Sequence, residues 1–203
     1  MQVRAWTLGL CLAAIVAQAQ SPGDFTATAI PDSVFERMQG KSFPEGCTMS
    51  RSELCYLQVL HVDADGVTHR GEMVCHQSIA SALLDIFRQL YEGGYPIERM
   101  RLIDDYDADD ERSMQDNNTS CFCFRTVTGG QRLSHHATGM AVDINPRYNP
   151  YVSASGAVKP SNALHSGPYR IERGDLCHRL FLSYGFTWGG SWHRTKDYQH
   201  FQR

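Results

Sequence analysis

The segment from Ser134 to Asn145, Ser-His-His-Ala-Thr-Gly-Met-Ala-Val-Asp-Ile-Asn, constrains this chain more than any other. After the glycine its residues alternate as a strand requires, with Ala141 and Asp143 on one face and Val142 and Ile144 on the other. The apolar face seats the strand on a core. The opposite face presents Asp143 beside a small residue and leaves room around it. Gly139 permits a backbone turn or close approach that a larger residue would hinder, so the chain can fold His136 back towards Asp143. An imidazole and a carboxylate placed together are half of a zinc site. Catalytic zinc takes three protein ligands and keeps one position for water, so a third ligand must come from elsewhere.

The tail from Phe186 to Gln202 offers two histidines, His193 and His200. A hydrolytic zinc site also needs a carboxylate close to its water, to take a proton and later deliver one to the leaving group. Asp197 stands three residues before His200, whereas Gly190 stands three before His193. The chemistry therefore selects His200 as the ligand and Asp197 as the base. In a strand over residues 200–202, His200 and Gln202 share a face while Phe201 turns inwards.

The amino terminus reads as an export leader over residues 1–19: Arg4, an apolar run from Ala5 to Ala17, and a small-x-small site at Ala17-Gln18-Ala19. That run is shorter than the roughly 20 apolar residues of a membrane span, and no later stretch approaches that length. An exported protein, periplasmic or extracellular and without a membrane span, is expected. Removing 19 of 203 residues leaves 184, enough for one domain with a real core. The loss of Arg4, with no acidic residue beside it, moves the formal charge from −3 to −4. This balance argues against nucleic acid as a partner. Cys47, Cys55, Cys75, Cys121, Cys123 and Cys177 remain, an even number in a compartment that permits disulfides.

Pro31, Asp32 and Ser33 open a short helix that ends at Gly40, within an amino-terminal segment spanning residues 20–45. Residues 54–62 and 67–75 read as a hairpin closed by Asp65-Gly66. The same stretch imitates a calcium loop, but His61 stands where the first aspartate belongs and the flanks are strands rather than helices. From Ser78 to Glu92, Ile79, Leu83, Ile86, Phe87 and Leu90 recur at helical spacing, which predicts the main core helix. Met100 to Ile103 and Thr119 to Arg125 read as strands. The run Asp104, Asp105, Asp107, Asp109, Asp110 and Glu111 reads as a solvated loop or, alternatively, as a cleft wall that attracts a cationic group. Residues beyond Asn145, rich in Pro and Gly, read as loop up to Asp175, which caps a helix bearing Leu176, Leu180, Phe181 and Tyr184 on its core face.

These residues carry a resemblance. Ser134, His136, Gly139, Ala141 and Asp143 match the S-x-H-x-x-G-x-A-x-D motif of the VanY-type zinc D-alanyl-D-alanine carboxypeptidases and their L-alanyl-D-glutamate endopeptidase relatives. Trp-Gly-Gly-Ser-Trp followed by Asp197-Tyr-Gln-His200-Phe-Gln is similar to that family's ending, and the Asp-Asp-Glu-Arg-Ser-Met, Asn-Asn-Thr-Ser and Asp-Ile-Asn-Pro stretches resemble an exported branch. The resemblance implies an α+β fold of the hedgehog/DD-peptidase type, in which a mostly antiparallel sheet flanked by helices forms the floor of a zinc cleft within residues 46–203. It implies one Zn²⁺ held by His136, Asp143 and His200, with Asp197 as general base. It also implies a site arginine that stabilises the oxyanion or binds a substrate carboxylate: Arg125, with Arg101 and Arg132 as alternatives. The implied substrates are the stem peptides of bacterial cell-wall peptidoglycan, cut as a carboxypeptidase or as an endopeptidase.

Two other readings compete. A domain that binds zinc or wall peptide without cutting has no need of Asp197. A D-Ala-D-Ala dipeptidase pairs a Glu with a Trp-His ending, and Gly190 stands where that acid would be. Ser134 lacks a glycine elbow and reads as a hydrogen-bonding support for a ligand rather than a nucleophile. His135 points away from the site if the segment is extended. Trp188, Trp192 and Tyr198 read as packing or cleft wall.

Overall fold

A computed structural model describes residues 23–127 and 130–203, so the expected leader lies outside the described residues. In chain order the elements are β1 (Thr26–Ala29), α1 (Asp32–Met38), β2 (Leu54–Val62), β3 (Thr68–His76), α2 (Gln77–Glu92), β4 (Arg99–Met100), α3 (Asp110–Gln115), β5 (Asn118–Thr119), β6 (Ala141–Asp143), β7 (Tyr151–Val152), β8 (Val158–Lys159), α4 (Leu176–Ser183), β9 (Thr187–Trp188), β10 (Lys196–Asp197) and β11 (His200–Gln202). Among the described residues no helix is long and apolar enough to cross a membrane.

The fold is α+β, with several small antiparallel sheets in place of one continuous floor. They run β1-β2-β3, β10-β7-β8 and β6-β11-β9, and β4 pairs with β5 in parallel. The β2–β3 hairpin lays Leu57, Val59, Met73 and Cys75 against the helix that periodicity predicts, where Ile79, Leu83, Ile86, Phe87 and Leu90 are all buried. Its turn uses Asp63 Oδ1 to accept from the amides of Asp65 and Val67, with Gly66 at φ +78°. Asp63 is thus part of a hairpin turn, and its other oxygen meets His69 at 2.7 Å. A second cluster joins Ile30, Val34 and Met38 to Leu54, Val74 and Phe122.

Phe201 ties the site to this core. It is fully buried and stacks on Phe181 of α4 at 4.3 Å, with Trp188 beyond it at 6.4 Å. Burying one such ring is worth about 2–3 kcal/mol. His200 and Gln202 are left on the opposite face, as the period of two requires.

Several local expectations need correction. Residues 121–125 are extended but form no strand, because successive amides bond to different neighbours: Phe122 to Val74, Cys123 to His136 and Phe124 to Ser42. Of the strand expected over Met100 to Ile103 only Met100 pairs, together with Arg99 before it, and Ile103–Tyr106 coils into a 3₁₀ turn. The segment after Asn145 contains the β7–β8 hairpin, which pairs with β10. The acidic run is solvated at Asp105, Asp107 and Asp109, but it forms a 3₁₀ turn and the start of α3 rather than a loop, it does not line the cleft, and its carboxylates have partners within the chain. Asp104 accepts from the Ser42 amide, Asp105 meets Arg37, Asp107 meets Lys41 and Arg112, Asp109 caps α3, and Asp110 meets Arg125. The six expected disulfide cysteines are free thiols. Cys75, Cys121 and Cys177 pack as small buried groups, and burial pushes their thiols well above the ordinary range.

Candidate metal centre and cleft

Ser134 begins a 3₁₀ turn, His135–Thr138, by accepting from the His136 amide through its Oγ at 3.2 Å. Its support of His136 therefore runs through the backbone. Gly139 ends the turn at φ +67°, a conformation costly for any residue with a Cβ. It also lies so close to β3 that a Cβ there would stand 2.6 Å from the His76 amide nitrogen. Both constraints direct the chain from His136 straight into β6.

β6 pairs antiparallel with β11 in a register that sets His200 opposite Asp143, so residues 57 positions apart become neighbours. Asp143 Oδ1 lies 3.0 Å from His200 Nδ1, and Oδ2 lies 3.2 Å from His136 Nε2. The two ring nitrogens are 3.2 Å apart. All three side chains are buried and offer ligand atoms within 4.8 Å of one another, which makes them a possible metal site. His193 is exposed and outside this group, and Ala141 is fully buried away from the cleft.

The donor set fits a divalent ion that accepts nitrogen and oxygen ligands, zinc above all. His136 Nδ1 donates to the Cys121 carbonyl at 2.7 Å, so in the neutral ring the lone pair sits on Nε2, the atom that faces the group. Burial would raise the Asp143 carboxyl, but His136 and His200 outweigh it and hold the acid well below the usual carboxylate range. Burial opposes charge on His200, yet its hydrogen bond to Asp143, with the Asp143 and Asp197 charges, raises the ring to about 9.

The centre opens on a cleft of about 290 Å³. Asp197 stands in its wall with Oδ1 enclosed and unpartnered, and burial is the main cause that pushes its carboxyl up to about 7. The glycine pair before it allows this placement, because a Cβ on Gly189 would meet the Asp197 carbonyl oxygen at 2.6 Å. On Gly190 it would strike the Trp188 indole. Arg125 also lines the cleft, with Nη2 on Asp110 Oδ2 at 2.6 Å and Nε unpartnered. Burial opposes its charge and the neighbouring carboxylates restore it, raising its pKa further. Arg132 lies exposed at the cleft rim, and Arg101 lines other cavities.

Trp192 is a wall of the cleft, with its ring 5.5 Å from His200, whereas Trp188 is buried and donates to the Tyr198 carbonyl. His135 is exposed at the rim rather than removed from the site. Sequence reasoning missed Tyr151, Lys159, Gln199 and Met114 as lining residues. Tyr151 and Lys159 are cross-strand partners in a hairpin that its Pro and Gly content disguises as loop. Gln199 is buried with its Oε1 unpartnered, and its only signal was a position between Asp197 and His200.

Residues 128–203 match the model of a peptidase family described as D-alanyl-D-alanine carboxypeptidase. The matched part contains His136, Asp143, Asp197 and His200 and begins just after Arg125. It supports a peptidase of that family in broad terms. No curated protein and no solved structure matches the chain.

Proposed function

We propose that this chain is an exported zinc peptidase that hydrolyses peptide bonds in the stem peptides of bacterial peptidoglycan, as a carboxypeptidase or an endopeptidase of the VanY type. The observation that carries the reading is the convergence of His136, Asp143 and His200 beside the enclosed, unpartnered carboxyl oxygen of Asp197. His136, Asp143 and His200 hold the ion, and every residue assigned a role falls within the proposed peptidase unit at 46–203. Zinc bound there would lower the pKa of water and polarise a peptide carbonyl.

The remaining chemistry belongs to the side chains. Asp197, in the cleft wall with the three ligands, is placed to accept a proton from the attacking water and return it to the departing amine. Arg125, in the cleft wall, supplies the positive charge for the oxyanion that develops on the carbonyl oxygen, or for a carboxylate of the substrate. Asp110 holds that guanidinium in place. Trp192 forms one wall of the cleft beside His200.

The test is incubation of the zinc-loaded protein with muropeptides of defined stem length, with and without chelator, followed by mass analysis of the products. Loss of one alanine identifies a carboxypeptidase, and release of a longer fragment an endopeptidase. Intact muropeptides in every arm with zinc present would contradict the reading.

A further inference from the structure

His200 differs from His136 in how its second ring nitrogen is held. The far nitrogen of His136 donates to a backbone carbonyl, that of Cys121, which no substitution removes. The far nitrogen of His200, Nε2, meets the side chain of Gln202 instead, with Oε1 at 3.0 Å. The strand creates this contact, since Gln202 follows His200 by two residues in β11 and lies on the same face, also lining the cleft. Phe201 between them is locked in the core, so the backbone that carries both side chains is fixed.

An amide oxygen only accepts, so Nε2 of His200 carries a hydrogen and donates it to Gln202. That choice decides what the rest of the ring offers. With hydrogen on Nε2, a neutral His200 has its lone pair on Nδ1, the atom 3.0 Å from Asp143 Oδ1 and 3.2 Å from His136 Nε2. With the opposite tautomer, Nδ1–H would point into the centre and the lone pair would face Gln202.

We infer that Gln202 is a positioning residue for metal binding, which fixes the tautomer and ring plane of His200 so that Nδ1 is presented beside Asp143 and His136. The inference rests on the metal-site reading given above and adds a residue to it. Partners of this kind change metal affinity on the order of 10- to 100-fold when removed.

The test uses the whole protein, labelled with ¹⁵N at histidine and titrated with zinc against a competing chelator. In the zinc-loaded wild type, the His200 signals should place zinc on Nδ1 and a slowly exchanging hydrogen on Nε2. Gln202→Met, close in size but lacking the amide oxygen, should bind zinc on the order of 10- to 100-fold more weakly and lose the protected Nε2–H. Gln202→Glu, which keeps an acceptor, should restore both. Zinc on Nε2 in the wild type, which needs no variant to observe, would overturn the inference. So would a Gln202→Met protein of unchanged zinc affinity. A wild-type protein that binds no zinc would instead sink the metal-site reading, and the role of Gln202 with it.

Discussion

Asp110 holds Arg125: its Oδ2 lies 2.6 Å from Nη2 of a guanidinium that is only one-quarter exposed and lines the cleft. This gives the acidic run a structural use that its composition does not suggest. Asp110→Ala should leave Arg125 partly buried without its partner, at a cost on the order of 1–3 kcal/mol. Urea unfolding measures that loss. Turnover should fall as well, because the cation is no longer aimed. Unchanged unfolding midpoint and unchanged turnover together would remove Arg125 from the site.

Asp197→Ala should retain zinc and lose on the order of 100-fold or more in turnover, since a positioned base contributes that much. Zinc content and peptide hydrolysis, measured on the same preparation, separate the two roles. Full activity in this variant would end the assignment of Asp197 as base.

Without metal, His200 titrates at about 9, because the hydrogen bond and charge of Asp143 overcome the cost of burial. A folded-state pKa raised above the unfolded value contributes stability that is fully present below about 6.5 and is lost as pH rises through about 9. The chelated protein should therefore melt at lower temperature as pH climbs through that window. Zinc must displace the same proton, so its affinity should increase with pH up to about 9 and then level off. Calorimetric titration in buffers of different ionisation enthalpy at pH 7 should register proton release, and its absence would contradict the pairing of His200 with Asp143.

Gly139→Ala tests why the segment from Ser134 to Asp143 needs its glycine. The residue sits at φ +67° against the β3 backbone, so the substitution should destabilise by more than the 1–2 kcal/mol, roughly, of the left-handed conformation alone. Denaturant unfolding is the measurement.

The legible parts of this chain were those where one periodicity or one glycine decides the outcome. Five apolar residues at helical spacing marked α2, and Gly139 with the alternation after it marked the turn into β6. Asp143 and His200 could be proposed as partners from their chemistry, but their register is set by Phe201 packing on Phe181, a contact between distant segments that no local pattern records. The same limit hid Asp110 beside Arg125 and the hairpin that brings Tyr151 and Lys159 to the cleft. The stretch from Cys121 to Arg125 alternates like a strand, yet it bridges separate elements one hydrogen bond at a time. Its side-chain pattern is that of a strand without a ladder.

His136, Asp143 and His200, and not His193, are the residues proposed to hold one zinc ion. Native mass spectrometry of the zinc-loaded wild type and of the His200→Ala and His193→Ala variants tests this assignment most directly. One zinc is expected in the wild type and in His193→Ala, and none in His200→Ala. Stoichiometric zinc retained by His200→Ala, or lost from His193→Ala, would contradict it.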